Sequence, residues 1–449
     1  MRTSAHPGAR PAFLPLSATT WLSTPGRVAV VWLLSRLLIG IVYATPAENY
    51  IAGDPYYYWR KLGAMAEVGL GGTMQEYPTP AVWVLQLPWL LGCGTTVGYV
   101  VAFALLMLAC DALLTVGLWR AGGRRRTAAL EFWLVFLVVF GPLAYFRFDL
   151  LPAVLVAAAL LFSAARPAVA GALVGVGAAI KLWPALVYPA LLARPGRGRT
   201  PTTVGFVVAG FGLALVSLLI GGWERLVSPL TWQSDRGLQI ESIPATALMA
   251  ARAVRPDLWV VELSQYNAYE LMSGPGVAAM TVTSSVLTVL GGLTIVLILA
   301  RALVPGFGRH TDPRRIPDAW HIGMIVMALV LILIITNKTL SPQYVTWLGG
   351  PLVYMFLHSG RTGQRSALTQ RLAVGVLVLA GLTHLVYPLL YTPLYSGGSL
   401  MWLPTLALAL RNLGLVILTV WVVLLALRPP RPPVVADQQN PAAVADDVS

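Results

Sequence analysis

Asp54 lies in the stretch YIAGDPYYYWRKL, Tyr50 to Leu62, as one carboxylate beside Tyr56, Tyr57, Tyr58 and Trp59, just past the first long apolar run. Aromatic packing that excludes water and fixes orientation lets such a carboxylate act as a general base. The residue equally suits a plainer part, as a solvated loop acid or the cap of a short helix with Pro55 at its first position. RFDLLPA, residues 147–153, sets Arg147 and Asp149 between two apolar runs. Asp149 could cap the next helix and Arg147 snorkel, or both could bind substrate.

AAIKLWPAL, residues 178–186, holds Lys181 in a tight apolar connection. A charge there is costly without a partner, and a phosphate would serve, either of an ordinary lipid headgroup or of a lipid-linked substrate. TNKTLSPQYVTWL, residues 336–348, groups Lys338, Ser341, Gln343 and Tyr344 into a polar, cationic rim. WQSDRGLQIES gathers Gln233, Asp235, Arg236, Gln239 and Glu241 around Trp232. That set fits sugar hydroxyls on an aromatic platform, and it fits an ordinary amphipathic loop as well.

Other chemistries find little support. The five histidines are scattered and none pairs at ligand spacing beside an outer acid, which argues against a metal site, although the outer carboxylates could themselves hold a divalent ion. No P-loop, no dinucleotide-binding glycine motif and no Ser/His/Asp set on one face is present, so nucleotide-driven chemistry is disfavoured. Cys93 and Cys110 support neither a disulfide framework nor a thiolate metal site.

The elements that must position these residues are membrane helices. Of the 449 residues 57% are hydrophobic and 11% charged, against about a quarter charged in soluble domains. Apolar runs near 28–45, 97–119, 128–146, 150–165, 168–180, 182–193, 202–222, 276–300, 320–336, 343–358, 372–388 and 403–427 make about twelve spans, several of them short. TPAVWVLQLPWLLG, residues 79–92, is about half a membrane long and contains a proline, so it reads as a re-entrant or interfacial helix.

With both termini inside, most of the 31 basic residues face the cytoplasm, and most of the 18 acidic residues fall in outer loops. The net charge of +13 is then positive-inside arginine rather than a nucleic-acid footprint. Two outer loops are long, 46–96 and 223–275. The expected organisation is a cytoplasmic tail over 1–27, a membrane domain over 28–427 and a disordered Pro/Ala-rich cytoplasmic tail over 428–449.

In this order, EYPTPAVWVLQLPWLLG, RFDLLPAVLVAAALL, GAAIKLWPAL and SPQYVTWL resemble glycosyltransferase family 87, of the C-type membrane fold, which includes actinobacterial mannosyltransferases. The resemblance covers most of 28–427, and the departure is YPTP where a double proline is commoner. It implies an all-α polytopic fold with interfacial helices in the first outer loop. It also implies a polyprenyl-phosphate mannose or related sugar donor, a glycolipid or glycan acceptor in the outer leaflet of the plasma membrane, and inversion at the anomeric carbon; it does not imply a required metal, and no cofactor is expected.

Carried onto this chain, the resemblance makes Asp54 the base that deprotonates the acceptor hydroxyl. Lys181, Arg147 and Lys338 become candidates for the fixed positive charge that meets the departing phosphate. Tyr57 and Trp59, with Tyr56 and Tyr58, would wall the acceptor groove, while Glu76 and Tyr77 would lead into the interfacial helix. Asp149, Trp232, Arg236, Gln343 and Tyr344 complete the expected substrate-binding set. The competing reading is a carrier or flippase of lipid-linked sugars, in which Asp54 and the outer cations would only gate or bind; such proteins usually show repeat symmetry or charges near the bilayer midplane, and here the spans hold few, mainly Arg36, Asp111 and Arg411.

Overall fold

The computed structural model describes residues 22–48, 50–92, 94–122, 126–304, 316–360 and 363–428. Both expected terminal tails, beyond 22–27 and 428, and Cys93 lie outside the described residues. Helix α1 spans Pro25–Tyr43, with Thr24 accepting from the Arg27 amide and Pro25 in the first turn. The first long loop contains α2 (Gly53–Gly63), α3 (Met65–Gly72) and α4 (Thr79–Leu91). The 13 residues of α4, with Pro88 inside, are the half-length helix read from the sequence.

There follow α5 (Thr96–Arg120), α6 (Arg126–Phe140), α7 (Leu150–Phe162), α8 (Pro167–Ile180), α9 (Val187–Leu191), α10 (Arg199–Phe206) and α11 (Gly212–Asp235). The second long loop holds strand β1 (Leu238–Gln239), α12 (Thr246–Val254), β2 (Val260–Leu263) and β3 (Tyr269–Ser273). The chain ends through α13 (Val277–Leu303), α14 (Ala319–Thr336), α15 (Gly349–His358), α16 (Gln364–His384), α17 (Tyr391–Ser396) and α18 (Trp402–Ala426).

The protein is thus a polytopic, all-α membrane protein. Eight helical segments among the described residues are long and apolar enough to cross a bilayer. The other four expected spans are shorter: α7, α8, and the segments 183–191 and 342–358, each of which opens as a 3₁₀ turn before its helix. Their missing turns are where irregular backbone carries polar side chains. Such backbone is tolerated at membrane depth only when protein covers it, and Pro342–Leu348 is buried throughout. One feature outside the all-α reading is a small antiparallel sheet in order β1–β3–β2, confined to the second long loop.

Hydrophobic burial cannot drive helix association in lipid, so close packing and polar pairing must do so. Gly171 and Gly175, four apart on α8, let α10 approach until their backbones touch. A Cβ on Gly171 would come within 1.9 Å of the Thr202 carbonyl oxygen, and one on Gly205 within 2.0 Å of that of Ala168. Polar pairing ties α1 to α5, where Arg36 donates twice to Asp111, through Nε and Nη2, each at 2.8 Å. Trp32, Trp133 and Tyr145 add bonds of 2.8, 2.7 and 2.9 Å to the same carboxylate. Arg411 on α18 donates to the Glu241 carboxylate at 2.6 Å and to its carbonyl at 2.8 Å, clamping the second long loop to the bundle.

Two outcomes follow for stability. Gly171→Val forces α8 and α10 apart at a cost of about 1–3 kcal/mol. It should lower the detergent melting temperature by several degrees, whereas Gly212→Ala, with nothing within 4 Å of the added carbon, should not. Asp111→Leu leaves Arg36 buried and unpaired, a loss of about 3–5 kcal/mol. Adding Arg36→Met should recover most of that loss in the same melting assay.

Candidate active site

The first turn of α2 carries Asp54. Among the described residues no side chain caps this helix, whose cap residue is Ala52, so Asp54 sits inside the turn instead of serving as its cap. Its carboxylate is directed at Arg147, with Oδ1 to Nη1 at 2.5 Å and 22% of the Asp54 side chain exposed. The carboxylate is therefore held yet still reachable. Tyr58, one turn further along α2, approaches Oδ2 at 3.4 Å and shares a 2.8 Å hydrogen bond with Tyr77.

Arg147 lies in the connection between α6 and α7 and is buried, so it does not snorkel. Its Nη2 donates to the Tyr387 hydroxyl at 2.5 Å, and its guanidinium sits 5.0 Å from that ring. Burial opposes the charge, but Asp54 and Tyr387 outweigh it and hold the Arg147 pKa above that of an ordinary arginine. The Asp54 carboxylate is thus fixed by a cation that is itself fixed.

Lys181 follows α8 and pairs with Asp149 at 2.6 Å. Its ammonium stands 5.6 Å from the Tyr77 ring and 5.7 Å from that of Tyr344. Asp149 occupies the cap position of α7, but its side chain makes no capping bond among the described residues. Its carboxylate holds Lys181 and accepts from the Trp347 indole at 2.8 Å instead. Trp347 is stacked between Tyr344, at 4.3 Å, and Trp183, at 4.7 Å, so the lysine rests on a rigid aromatic support.

Asp54, Arg147 and Lys181, with Tyr58, Tyr77, Tyr344 and Tyr387, line one cavity of about 370 Å³. Of the residues expected from the sequence, Asp54, Tyr57, Glu76, Tyr77, Arg147, Lys181, Trp232, Arg236, Gln343 and Tyr344 face it. Tyr57 donates to Glu76 at 2.8 Å, and burial raises the pKa of that carboxyl. Trp232 meets Tyr266 edge-on at 5.2 Å, Arg236 lies 3.8 Å from Glu270, and Gln343 Oε1 has no hydrogen-bond partner among the described residues.

Several expected residues stand elsewhere, among them Tyr56 and Asp235, which do not line the cavity. Lys338 is not on the cavity wall; its ammonium donates to the Ser234 carbonyl at 2.6 Å and pins the end of α11. Burial lowers its pKa. Trp59 turns away to donate to the Gly94 carbonyl at 2.8 Å and pack on Trp89. Asp149 is completely buried behind Lys181 and does not reach the cavity.

A set of tyrosines lining the cavity was missing from the expected site. Tyr387, Tyr391 and Tyr395 recur every fourth residue, and Tyr269 stacks on Tyr395 at 4.0 Å. Glu241, which the sequence did single out beside Trp232, is held by Arg411 and lines the same cavity. The i, i+4 spacing of tyrosines in YPLLYTPLYS was the available signal, hidden by its continuity with the apolar run before it. Among the described residues no group of three His, Cys, Asp or Glu could hold a metal ion.

Chemically the cavity offers a reachable carboxylate, two cations on short tethers, and an aromatic wall with hydrogen-bonding hydroxyls. This combination can deprotonate a hydroxyl, hold a phosphate and stack against sugar rings. Comparison with known proteins bears directly on that chemistry. No curated protein matches the chain. The family model described as glycosyltransferase family 87 matches residues 76–332, more than half of the chain. The match includes Arg147, Lys181 and the 232–241 segment, begins after Asp54 and ends before Gln343. On that match the chain belongs to glycosyltransferase family 87 and is a membrane glycosyltransferase.

Proposed function

We propose that the enzyme moves a mannose, or a related sugar, from a polyprenyl-phosphate donor to a glycolipid or glycan acceptor at the outer face of the plasma membrane, with inversion. The observation that carries this reading is the 2.5 Å contact of Asp54 with Arg147 in a cavity that Lys181 also lines. A carboxylate and two cations beside one open volume suit a displacement in which a proton leaves one oxygen as negative charge gathers on another.

In the proposed step the acceptor hydroxyl approaches Asp54 and its oxygen attacks the anomeric carbon. The new carbon–oxygen bond forms as the carbon–oxygen bond to phosphate breaks on the opposite face. The hydroxyl proton passes to Asp54, and the lipid phosphate departs carrying the electron pair. A single displacement of this kind inverts the anomeric centre.

Arg147 and Lys181 receive the developing phosphate charge. Each already has a carboxylate partner, so binding of the donor trades part of one ion pair for another. This keeps both cations from standing unpaired in a partly buried site before substrate arrives. Tyr77 and Tyr344 flank the Lys181 ammonium and limit where the phosphate can sit. Tyr57, Glu76, Trp232, Arg236 and Gln343 are assigned to the hydroxyls of donor and acceptor.

The outer-face assignment is supported by the bias of basic residues toward the opposite side in the sequence. The one-sided polar load favours the transferase over the carrier reading, and Arg36 with Asp111 and Arg411 with Glu241 form buried ion pairs that hold helices and a loop together.

Two measurements test the assignment of roles. With synthetic polyprenyl-phosphate mannose and purified protein, Asp54→Asn should lower kcat by at least about a hundredfold while donor binding persists; near wild-type kcat would move the base to another carboxylate. Lys181→Gln removes a charge-assisted bond worth about 1.5–3 kcal/mol and should lower kcat/KM for the donor by about 10- to 100-fold. Lys338→Gln should cost less than Lys181→Gln, and a larger loss there would contradict the placement of the phosphate.

A further inference from the structure

Glu48 and His384 form a pair that the proposed step does not use. Glu48 lies in a short 3₁₀ turn, Pro46–Glu48, just after α1, and is completely buried. His384 is the last residue of α16, and its Nε2 stands 2.7 Å from Glu48 Oε1. With the carboxylate as acceptor, Nε2 carries the proton in the neutral and the charged ring alike. The other carboxylate oxygen is buried with no hydrogen-bond partner among the described residues. Losing the imidazole would therefore leave a buried acid with little to compensate it, which ties the two side chains firmly together.

Neither residue lines the cavity, yet each lies a few positions from a group that does. From Glu48 to Asp54 the chain runs through hydrogen-bonded turns. The Glu48 carbonyl accepts from the Ile51 amide at 3.0 Å, that of Tyr50 from Gly53 at 3.1 Å and that of Ala52 from Tyr56 at 3.1 Å. Ile51 and Ala52 are buried, so a shift of Glu48 passes along the backbone to the first turn of α2. Tyr387 follows His384 by three positions and has left the helical conformation, with φ of −131° and ψ of 123°. Its hydroxyl accepts from Arg147 Nη2 and donates to the Tyr50 carbonyl at 3.2 Å.

The imidazole also stands against the turn that leads to Arg147. Gly141 opens the 3₁₀ turn Gly141–Ala144 with φ of 68°, a conformation open to glycine, and a Cβ there would run into the His384 ring. Tyr43, the last residue of α1, stacks on Phe146 at 4.3 Å, next to Arg147. His384 thus meets the loop before Asp54, the turn before Arg147 and the helix end before Tyr387.

We propose that Glu48 and His384 are positioning residues for the transfer step, setting how Asp54 faces Arg147 and the open volume without touching substrate. The inference rests on Asp54 as the base, proposed above, and adds what holds that base in line. Misplacing a reacting group by about 1 Å can cost about a hundredfold in rate, so the pair acts on kcat. Lys181, assigned to the donor phosphate, is held by Asp149 instead, so donor KM should hardly change.

The test is a double-mutant cycle with purified full-length protein, radiolabelled polyprenyl-phosphate mannose and a glycolipid extract as acceptor. His384→Ala should lower kcat about 10- to 100-fold with donor KM nearly unchanged. His384→Gln, whose amide nitrogen can stand in for Nε2, should recover most of that loss. In the Asp54→Asn background His384→Ala should cost almost nothing further, because residues that act as a unit are not additive. Loss of folded enzyme would instead lower kcat by the same factor in both backgrounds. Should His384→Ala fail to fold, Glu48→Gln keeps the volume and an acceptor but weakens the bond to the imidazole; it should lower kcat severalfold, and only where Asp54 is present. Wild-type kcat in His384→Ala or Glu48→Gln would overturn the proposal, as would equal losses in both backgrounds. Near wild-type kcat in Asp54→Asn alone, or wild-type enzyme that transfers nothing from this donor, would overturn the reading of the base or of the donor class, and the positioning role with it.

Discussion

The contact between Asp54 and Arg147 draws together parts of the chain that are far apart in sequence. Asp54 comes from the helix after the first span, Arg147 from the turn between α6 and α7, and Tyr387, which Arg147 also bonds, from the end of α16. A buried arginine needs such partners, because leaving it unpaired would cost several kcal/mol. The requirement that stabilises the site also aims it. The carboxylate oxygen is fixed where a hydroxyl can reach it, and the cation is fixed where a phosphate can share it.

The same constraint recurs throughout the molecule with other outcomes. Arg36 and Asp111 meet inside the spans and are closed off by two indoles and a phenol, which makes them structural. Arg411 meets Glu241 and so pulls the second long loop down onto α18, bringing one wall of the cavity into place. Lys181 and Asp149 repeat the arrangement at the cavity, but the lysine remains partly open and faces aromatic rings. Whether an ion pair is mere scaffold or serves the chemistry depends on which of them retains access to the open volume.

Much of this was legible in the sequence because membranes make charge conspicuous. Arg147 and Lys181 stand in short connections between apolar runs, where a charge must have a partner, Asp54 stands in the loop just past the first run, and all three line one cavity. Lys338 was selected by the same logic, yet the direction of its side chain depends on where the end of α11 falls, which spacing does not reveal. Trp59 followed its tyrosine neighbours in sequence but lies on another face of α2. The tyrosines at 387, 391 and 395 were concealed because tyrosine counts as apolar in a span, and the shortness of α7 and α8 because irregular backbone covered by protein leaves no compositional mark.

The account rests on a single displacement with Asp54 as base and a lipid phosphate as leaving group, and the stereochemistry of the product reports on it directly. Purified enzyme in lipid nanodiscs would be given a β-linked mannosyl phosphate on a polyprenyl chain, and the anomeric configuration of the newly made glycoside read by NMR. The account predicts an α-linked product. A β-linked product would mean retention, which a single displacement cannot give, and would contradict the role given to Asp54.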